Sequence, residues 1–503
     1  MRLIQKRTAR MFRKIKENKW ILSIILIFLI TKLLFLIKFH SAIWDESVYI
    51  GMGKYIWSLG NAGLWEIIRP IGLPILLGGA WKLGLNAVIF GEILADLFAV
   101  GNIVMIYLIC KKIFNKNIGL IAAIIAAITP IFYLYSSYLL TSIPAVFFSL
   151  LAIYMFLNNR FVLSGVFSAA ALYFRFTQGI VLAALLIALI FKYNLKRKKE
   201  IVKLIKNSVV IAGSFIAVLA PYLALNYFIY RNETGKIYHA LFRPWIMSIV
   251  HQSNPANAVN GLFENLFYYI LQMNQNILLY FVFAGLVCLL AIEHYRKKLK
   301  QNSVILVILI LTFTYLTYII NKQERFFIEL LPYISILAGA GIFGIYSFIE
   351  GNKKIKAMKD YIKLIFAVFL ALIVLSSAVT DYGYYNWRFD KETQIIDDFY
   401  GFFNGKEIKG PILISDPVFS AYSDAKFIPI YYSFELAEKM FEDYKDKAYA
   451  MAYVPSAFYC GNDVNCENKK DSLFQRINEK YNIAFEKEYY RQEYYIFIRK
   501  SMK

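Results

Sequence analysis

Apolar residues are grouped in long blocks over the first three quarters of the chain, separated by short polar or basic stretches. Most blocks approach the roughly twenty residues that an α-helix needs to cross the hydrocarbon core of a bilayer. The pattern predicts about eleven transmembrane helices, from Trp20–Phe39 to Ile362–Val379. Residues Ile71–Lys82 are apolar but too short to span, which indicates a re-entrant or interfacial piece. The predicted fold class is an α-helical polytopic membrane protein, with its transmembrane domain over residues 1–380.

Lys and Arg residues cluster beside the predicted spans, for example at Lys196–Lys199 and Lys353–Lys359. If the N-terminus is cytoplasmic, every strongly basic cluster falls on the cytoplasmic side, as the positive-inside rule requires. We therefore predict a multi-pass cell-membrane protein with a cytoplasmic N-terminus. The net charge of +22 over 503 residues then reflects orientation and attraction to anionic lipid headgroups, and it indicates no nucleic-acid partner.

The composition changes after Asp381, where long apolar runs stop and charges of both signs appear. Short β-prone and amphipathic stretches alternate there, which predicts a small α/β domain over residues 381–503. By topology this domain is extracytoplasmic. The predicted helices are Phe434–Lys445 and Asp471–Lys480, and the predicted strands are Pro411–Ser415, Phe427–Tyr432, Ala448–Val454 and a closing hairpin of Asn482–Tyr490 with Tyr494–Arg499.

Four cysteines are present. Cys110 and Cys288 fall in predicted spans, whereas Cys460 and Cys466 flank a short polar stretch. That pair could form a disulfide if the stretch faces an oxidising compartment. The stretch offers too few ligands for a metal site.

The stretch from His40 to Pro74 follows the first predicted span and carries an unusual set of polar and aromatic residues. Its Tyr and Trp residues are of the kind that prefers the membrane–water interface, so we expect an amphipathic segment lying on the bilayer surface. Asp45 and Glu46 stand at its head and Arg69 at its tail. A carboxylate at the mouth of a span is costly unless it is solvated or used. Asp45 is therefore either an ordinary hydrated acid or a functional residue.

An acid beside several arginines at the membrane surface suits sugar transfer from a lipid-linked phosphate. Arginine binds phosphate in bidentate geometry, and an acceptor hydroxyl needs a base as it attacks an anomeric carbon. We assign Asp45 as the catalytic base with Glu46 in support. The candidates for binding the lipid phosphate are Arg69, Arg175 and Arg325. Further residues on the predicted outer face are assigned to the substrate cavity: Trp44, Tyr49, Glu66, Glu92, Arg243 and His251.

Several of these residues have a plainer interpretation. An arginine at a helix end often only extends toward headgroups, which fits Arg243 in a predicted long outer loop over Arg231–Asn265. Arg325 could pair with its neighbour Glu324, and His251 could be structural or solvated. The sequence has no P-loop, dinucleotide fingerprint or zinc-ligand spacing, so ATP and dinucleotide chemistry have no support. It implies no definite cofactor, and a divalent cation stays open.

The order of these motifs resembles the GT-C membrane glycosyltransferases, closest to the protein O-mannosyltransferase and aminoarabinose-transferase branch. The resemblance covers roughly residues 21–349, and Ser142 departs from it because many members carry an acid in that turn. The matching pieces are Trp44-Asp45-Glu46 with Tyr49, Arg69-Pro70 with Gly72 and Pro74, Thr129-Pro130, Arg175, and Glu324-Arg325-Phe326 with Pro332.

The resemblance implies an inverting transfer on the outer face from a polyprenyl- or dolichyl-phosphate sugar to an acceptor glycan, lipid or protein. It implies Asp45 as the catalytic acid–base residue, and Arg69 and Arg325 as ligands of the lipid phosphate. Two other classes stay open, a lipid or solute transporter and a non-catalytic glycan-binding membrane protein. Transporters often show paired halves and broken helices at the midplane, whereas the polar residues here gather at one predicted surface.

Overall fold

The computed structural model describes residues 18–37, 42–252, 262–275, 278–292, 299–351, 359–389, 396–431, 434–458, 465–489 and 491–500. The chain divides into two compact units. The first unit combines Met1–Ile37 with Leu94–Asn386, and the second combines Lys38–Ile93 with Trp387–Lys503. The segment that carries Asp45 therefore groups with the C-terminal residues.

Helices dominate the described residues. In chain order the α-helices are α1 (Lys19–Ile37), α2 (Trp44–Trp57), α3 (Gly72–Lys82), α4 (Ala87–Ile113), α5 (Lys116–Ile128), α6 (Pro130–Tyr135), α7 (Ser142–Leu157), α8 (Phe161–Phe174), α9 (Gly179–Lys192), α10 (Lys198–Thr234), α11 (Ile237–Leu241), α12 (Arg243–Gln252), α13 (Leu262–Gln275), α14 (Leu278–Ala291), α15 (Leu299–Tyr318), α16 (Leu331–Gly351), α17 (Lys359–Phe389), α18 (Phe419–Tyr422), α19 (Phe434–Tyr444) and α20 (Cys466–Lys480). The strands are β1 (Ile412–Ile414), β2 (Phe427–Pro429), β3 (Ala450–Tyr453), β4 (Tyr481–Tyr489) and β5 (Gln492–Arg499).

Four helices in the described part of the chain are long and apolar enough to cross a bilayer: Ala87–Ile113, Lys198–Glu233, Leu331–Gly351 and Asp360–Gly383. Shorter apolar helices, such as α7, α8 and α9, coincide with other predicted spans. A helical fold with a small C-terminal sheet is thus confirmed, and the count of about eleven membrane helices stays a prediction.

The structure corrects the sequence reading in three places of the first unit. The predicted outer loop Arg231–Asn265 is largely helical where it is described, because α11 and α12 follow α10. The predicted third span, Ile118–Tyr135, is divided at Pro130, which cannot continue α5 and instead begins α6. The predicted tenth span, Phe326–Ile349, starts inside a 3₁₀ helix, Glu324–Glu329, and continues as α16.

Glycines allow helices of the first unit to pack backbone against backbone. A Cβ added at Gly285 on α14 would overlap the carbonyl oxygen of Leu337 on α16, and one added at Gly341 would overlap that of Phe281. Small residues at such crossings let membrane helices approach closely and gain dispersion contacts.

The sheet of the second unit has the strand order β2-β1-β3-β5-β4. β1 is parallel to both β2 and β3, and β5 is antiparallel to β3 and β4. The predicted closing hairpin is confirmed, as are the two predicted helices that correspond to α19 and α20. Side chains of these helices, such as Phe441 and Leu473, pack on Leu413 and Met451 of the sheet.

Cys466, at the start of α20, is disulfide-bonded. Its expected partner Cys460 lies outside the described residues. The basic residues between Arg2 and Lys16, and those at 353–356, also lie outside them.

Backbone hydrogen bonds join the residue 44–82 segment to the C-terminal residues of the same unit. The N–H of Gly63 donates to Ala425 O at 2.8 Å, and the N–H of Phe427 donates to Gly63 O at 2.8 Å. The buried Lys54 on α2 donates to Ser423 O at 3.0 Å and pairs with Asp424 at 2.9 Å. Burial lowers the pKa of Lys54, and the carboxylate of Asp424 opposes that effect.

Helices α2 and α3 approach each other through paired glycines. A Cβ at Gly53 would lie 2.5 Å from Pro74 O, and one at Gly78 would overlap Gly53 O. Trp57 Nε1 donates to Ile75 O at 2.9 Å and closes the same contact. Because the clash at Gly78 would be with backbone, no side-chain rotation can relieve it.

We expect Gly78→Ala to destabilise the second unit by about 1–3 kcal/mol, the usual cost of overpacking a close contact. The measurement is thermal unfolding of the purified full-length protein in detergent. The matched control is Gly213→Ala on α10, where an added Cβ meets no atom within 4 Å. Equal melting temperatures for the two variants would contradict the assigned role of the glycine contact.

Candidate functional site

The acidic pair lies in the first turn of α2, where both side chains are buried. The Glu46 carboxylate accepts a hydrogen bond from the N–H of Ile43 at 2.7 Å. That bond satisfies one of the donors that a helix start leaves exposed. Glu46 therefore caps the start of α2. Asp45, the residue before it, forms an ion pair with Arg69 of the same unit.

Arg69 joins two carboxylates. Its Nη2 lies 2.6 Å from Asp45 Oδ1, and its Nε lies 3.0 Å from Glu66 Oε2. Burial disfavours the guanidinium charge, but Asp45, Tyr49 and Glu66 outweigh burial and hold the pKa of Arg69 above its usual value. The cation is thus fixed between one anion three residues away in sequence and another 24 residues away.

Aromatic side chains surround this ion cluster. Tyr431 donates its hydroxyl to Glu66 Oε1 at 2.5 Å and packs edge-on against Trp44, with ring centroids 4.8 Å apart. The Arg69 guanidinium carbon lies 5.6 Å from the ring centroid of Tyr49. Five residues assigned from the sequence are therefore brought together, and Tyr431 is an addition that sequence reasoning missed. The five are Trp44, Asp45, Tyr49, Glu66 and Arg69.

A second polar cluster lies in the first unit around Arg175. This residue follows α8 as its C-cap and precedes the 3₁₀ helix Phe176–Gln178. Its Nε forms an ion pair with Glu329, and its Nη1 donates to Ser142 Oγ at 3.1 Å. Its guanidinium carbon lies 4.7 Å from the ring centroid of Phe326. The resemblance led us to expect an acid at position 142. The Ser142 hydroxyl instead accepts a hydrogen bond from the guanidinium.

Glu329 is the main functional candidate that sequence reasoning missed. Its carboxylate is buried, and Oε2 accepts hydrogen bonds from Thr177 Oγ1 and Gln178 Nε2, each at 2.7 Å. Gln178 in turn accepts from Ser149 Oγ at 2.6 Å. The available signal was an acid inside a stretch assigned to a membrane span, where ionisable residues mark functional sites.

The remaining assigned residues are more dispersed. Arg325 donates its Nε to Gln323 Oε1 at 2.5 Å. Arg243 begins α12, and its Nε has no hydrogen-bond partner among the described residues. His251 is exposed in the last turn of α12, and Glu92 is buried on α4.

The expectation of a divalent cation stays a prediction. Within the ranges that the structure covers, no group of three His, Cys, Asp or Glu residues could hold a metal ion. The ion clusters around Arg69 and Arg175 are instead built of carboxylates that face guanidinium groups.

Comparisons with known proteins identify a family model and several solved structures that this chain resembles. The family model described as dolichyl-phosphate-mannose-protein mannosyltransferase matches residues 70–225, less than half of the chain. No curated protein matches the chain at the sequence level.

Solved structures resemble the whole chain. The oligosaccharyltransferase AglB from Archaeoglobus fulgidus, in complex with an inhibitory peptide and a dolichol-phosphate, is 13% identical with a TM-score of 0.61, over 96% of this chain and 74% of that one. ArnT from Cupriavidus metallidurans, bound to undecaprenyl phosphate, is 12% identical with a TM-score of 0.64, over 95% and 98% of the two chains. The arabinofuranosyltransferase AftD from Mycobacteria is 10% identical with a TM-score of 0.55, over 96% of this chain and 40% of that one.

These neighbours share a fold of membrane glycosyltransferases, and the region matched by the family model begins at Pro70, directly after Arg69. The chain therefore has the GT-C fold, and its resemblance to the protein O-mannosyltransferase and aminoarabinose-transferase branch is confirmed.

Proposed function

We propose that the protein is a glycosyltransferase that moves a sugar from a polyprenyl- or dolichyl-phosphate carrier to an acceptor hydroxyl. In the proposed reaction Asp45 takes the hydroxyl proton while the acceptor oxygen attacks the anomeric carbon. The bond from that carbon to the phosphate oxygen breaks on the opposite face, so the anomeric configuration inverts and the polyprenyl phosphate leaves with the electron pair. The acceptor is a glycan, lipid or protein.

The observation that carries the proposal is the ion pair of the buried Asp45 with the partly buried Arg69, at 2.6 Å. A neighbouring cation favours the ionised form of a carboxylate, and that is the form a general base needs. The pair also fixes the position of Asp45 before the substrate arrives, which lowers the entropy cost of reaching the reactive geometry. Trp44 and Tyr49 are proposed to border the substrate because their rings border this cluster.

Arg69 is committed to two carboxylates, so a phosphate would have to compete with Asp45 and Glu66 for its donors. We therefore assign Arg69 first to the positioning of Asp45, and its role as a phosphate ligand becomes the alternative to be tested. Its planar fork suits this bridge because two donors can serve two carboxylates at once.

For the phosphate we propose Arg175 and Arg325. Developing negative charge on the leaving phosphate is best stabilised by donors that are already oriented. The choice of lipid phosphate is supported by the fold neighbours, since AglB is described with a dolichol-phosphate and ArnT with undecaprenyl phosphate. The roles of Glu92, Arg243 and His251 in the cavity rest on the sequence alone and stay predictions.

A transporter or a non-catalytic binding protein is not favoured. The matched family model and the similar structures carry the names of transferases. The buried carboxylate and guanidinium around Asp45 also suit acid–base chemistry better than passage of a solute.

We expect Asp45→Asn to reduce transfer by about 10²–10⁴-fold, because the amide cannot accept the hydroxyl proton. The assay is turnover of a polyprenyl-phosphate sugar by the purified protein. Asp443→Asn, which changes an exposed acid on α19 of the same unit, is the matched control and should retain activity. Near-normal turnover by folded Asp45→Asn would remove Asp45 from the mechanism.

Arg69→Lys separates the two roles of Arg69. The ammonium keeps the charge but cannot present two coplanar donors to two carboxylates. If Arg69 is a positioning residue, Arg69→Lys should lower the melting temperature and the turnover number, while the donor KM changes little. A raised donor KM with an unchanged melting temperature would instead identify Arg69 as a phosphate ligand.

We also propose that the N-terminus is cytoplasmic and that the α/β domain over 381–503 is extracytoplasmic. A cysteine introduced at the exposed Asn404 should react with an impermeant maleimide added to intact cells, and one introduced at Asn352 should react only after permeabilisation. The unaltered chain serves as the background control. The reverse labelling pattern would overturn both the topology and the outer-face assignment.

A further inference from the structure

Glu329 has no part in the chemistry proposed above, yet its contacts are concentrated on one short segment. The buried carboxylate accepts hydrogen bonds from the side chains of Arg175, Thr177 and Gln178, which lie within four consecutive positions between α8 and α9. A carboxylate that accepts three side-chain donors from one turn holds that turn rigidly, since loss of any donor would leave a buried acceptor less satisfied.

The same contacts orient the Arg175 guanidinium. Nε faces Glu329, Nη1 faces Ser142 Oγ at 3.1 Å, and the guanidinium carbon lies 4.7 Å from the Phe326 ring centroid. Within the described residues Nη2 makes no hydrogen bond, and 14% of the side chain is accessible. One end of the guanidinium is therefore fixed by protein, while the other end retains donors for a ligand.

Charge balance gives Glu329 a second role. A guanidinium that is largely withdrawn from water is strongly disfavoured unless an anion is paired with it. Glu329 supplies that anion from the 3₁₀ helix Glu324–Glu329, and Ser142 at the start of α7 supplies only a hydroxyl. Ser142 is nevertheless within reach of the same guanidinium, so a carboxylate placed there could take over the pairing.

We propose that Glu329 is a positioning residue, which holds Arg175 so that its Nη2 is presented to the phosphate of the lipid-linked donor. This inference rests on the proposed function, because it takes Arg175 as a phosphate ligand. It adds that Glu329, which does not itself contact the substrate, positions this arginine and balances its charge. It also adds that a carboxylate at position 142 can do the same.

The test uses the full-length protein purified in detergent, with Glu329→Gln and the double variant Ser142→Asp/Glu329→Gln. We measure turnover number and donor KM, and the rise in melting temperature caused by polyprenyl phosphate alone. Glu329→Gln should raise the donor KM about tenfold or more with a smaller change in turnover number, because ligand binding loses more than the chemical step does. It should also abolish most of the thermal stabilisation by polyprenyl phosphate.

The double variant should restore the donor KM to within about threefold of the wild-type value, since it returns a carboxylate to Nη1 of Arg175. Glu264→Gln is the matched control and should keep the wild-type donor KM, because Glu264 is an exposed acid on α13 of the same unit. If Glu329 had only a structural role, Glu329→Gln and the double variant would be impaired to the same extent, because an aspartate at position 142 would not restore donor affinity.

A folded Glu329→Gln with wild-type donor KM overturns the inference, and so does a folded double variant without rescue. If Glu329→Gln does not fold, Thr177→Val provides the measurement, because it removes one donor to Glu329 and keeps both charges. A raised donor KM in Thr177→Val supports the inference, and an unchanged one overturns it. A wild-type protein that neither turns over a polyprenyl-phosphate sugar nor is stabilised by polyprenyl phosphate would instead refute the proposed function.

Discussion

The second unit depends on one partly buried cation. Arg69 lies between Asp45 and Glu66, at 2.6 and 3.0 Å, and the two anions balance its charge. Removing one partner of a buried ion pair typically costs about 3–5 kcal/mol because the other charge is left uncompensated. Tyr431 donates to Glu66, so the α/β residues share in this balance. The acid proposed for catalysis is thus positioned by electrostatic necessity as well as by its place on a helix.

Backbone contacts give that ion cluster its precision. Gly53 and Gly78 bring α2 and α3 to a distance that any side chain would increase, and Gly63 fits against the carbonyl of Gly51. A larger residue at these positions would move Asp45 relative to Arg69. Since both hydrogen-bond strength and proton transfer fall steeply with misplacement, we expect substitutions of these glycines to weaken the Asp45–Arg69 pair and the proposed chemistry with it.

The sequence predicted the parts of the structure that have a local signal. The closing hairpin followed from alternation of β-prone residues. Asp45, Glu66 and Arg69 were singled out as unusual polar residues beside a span, but the sequence assigned Arg69 to a phosphate and did not predict its ion pairs with the two acids. Glu329 escaped because its partner Arg175 is 154 residues away, and hydropathy assigned its apolar neighbours to a helix. The helices α11 and α12 were missed for a related reason. The mixed polar composition of their segment indicates a loop, and tertiary packing can override that local preference.

The hydrogen bond from Ser420 Oγ to Ser47 O, 2.7 Å long, crosses 373 residues of sequence. At a synthesis rate of about 5–20 residues per second, α2 emerges roughly 20–75 s before the α/β residues that complete its surroundings. A helix of 14 residues is marginal when isolated in water, so the nascent α2 lacks the packing that the α/β residues supply until translation is nearly complete. The ion pairs of Arg69 join residues that are close in sequence, whereas the hydrogen bond from Tyr431 to Glu66 forms only at that late stage. The cluster is therefore completed only after the α/β residues have been made.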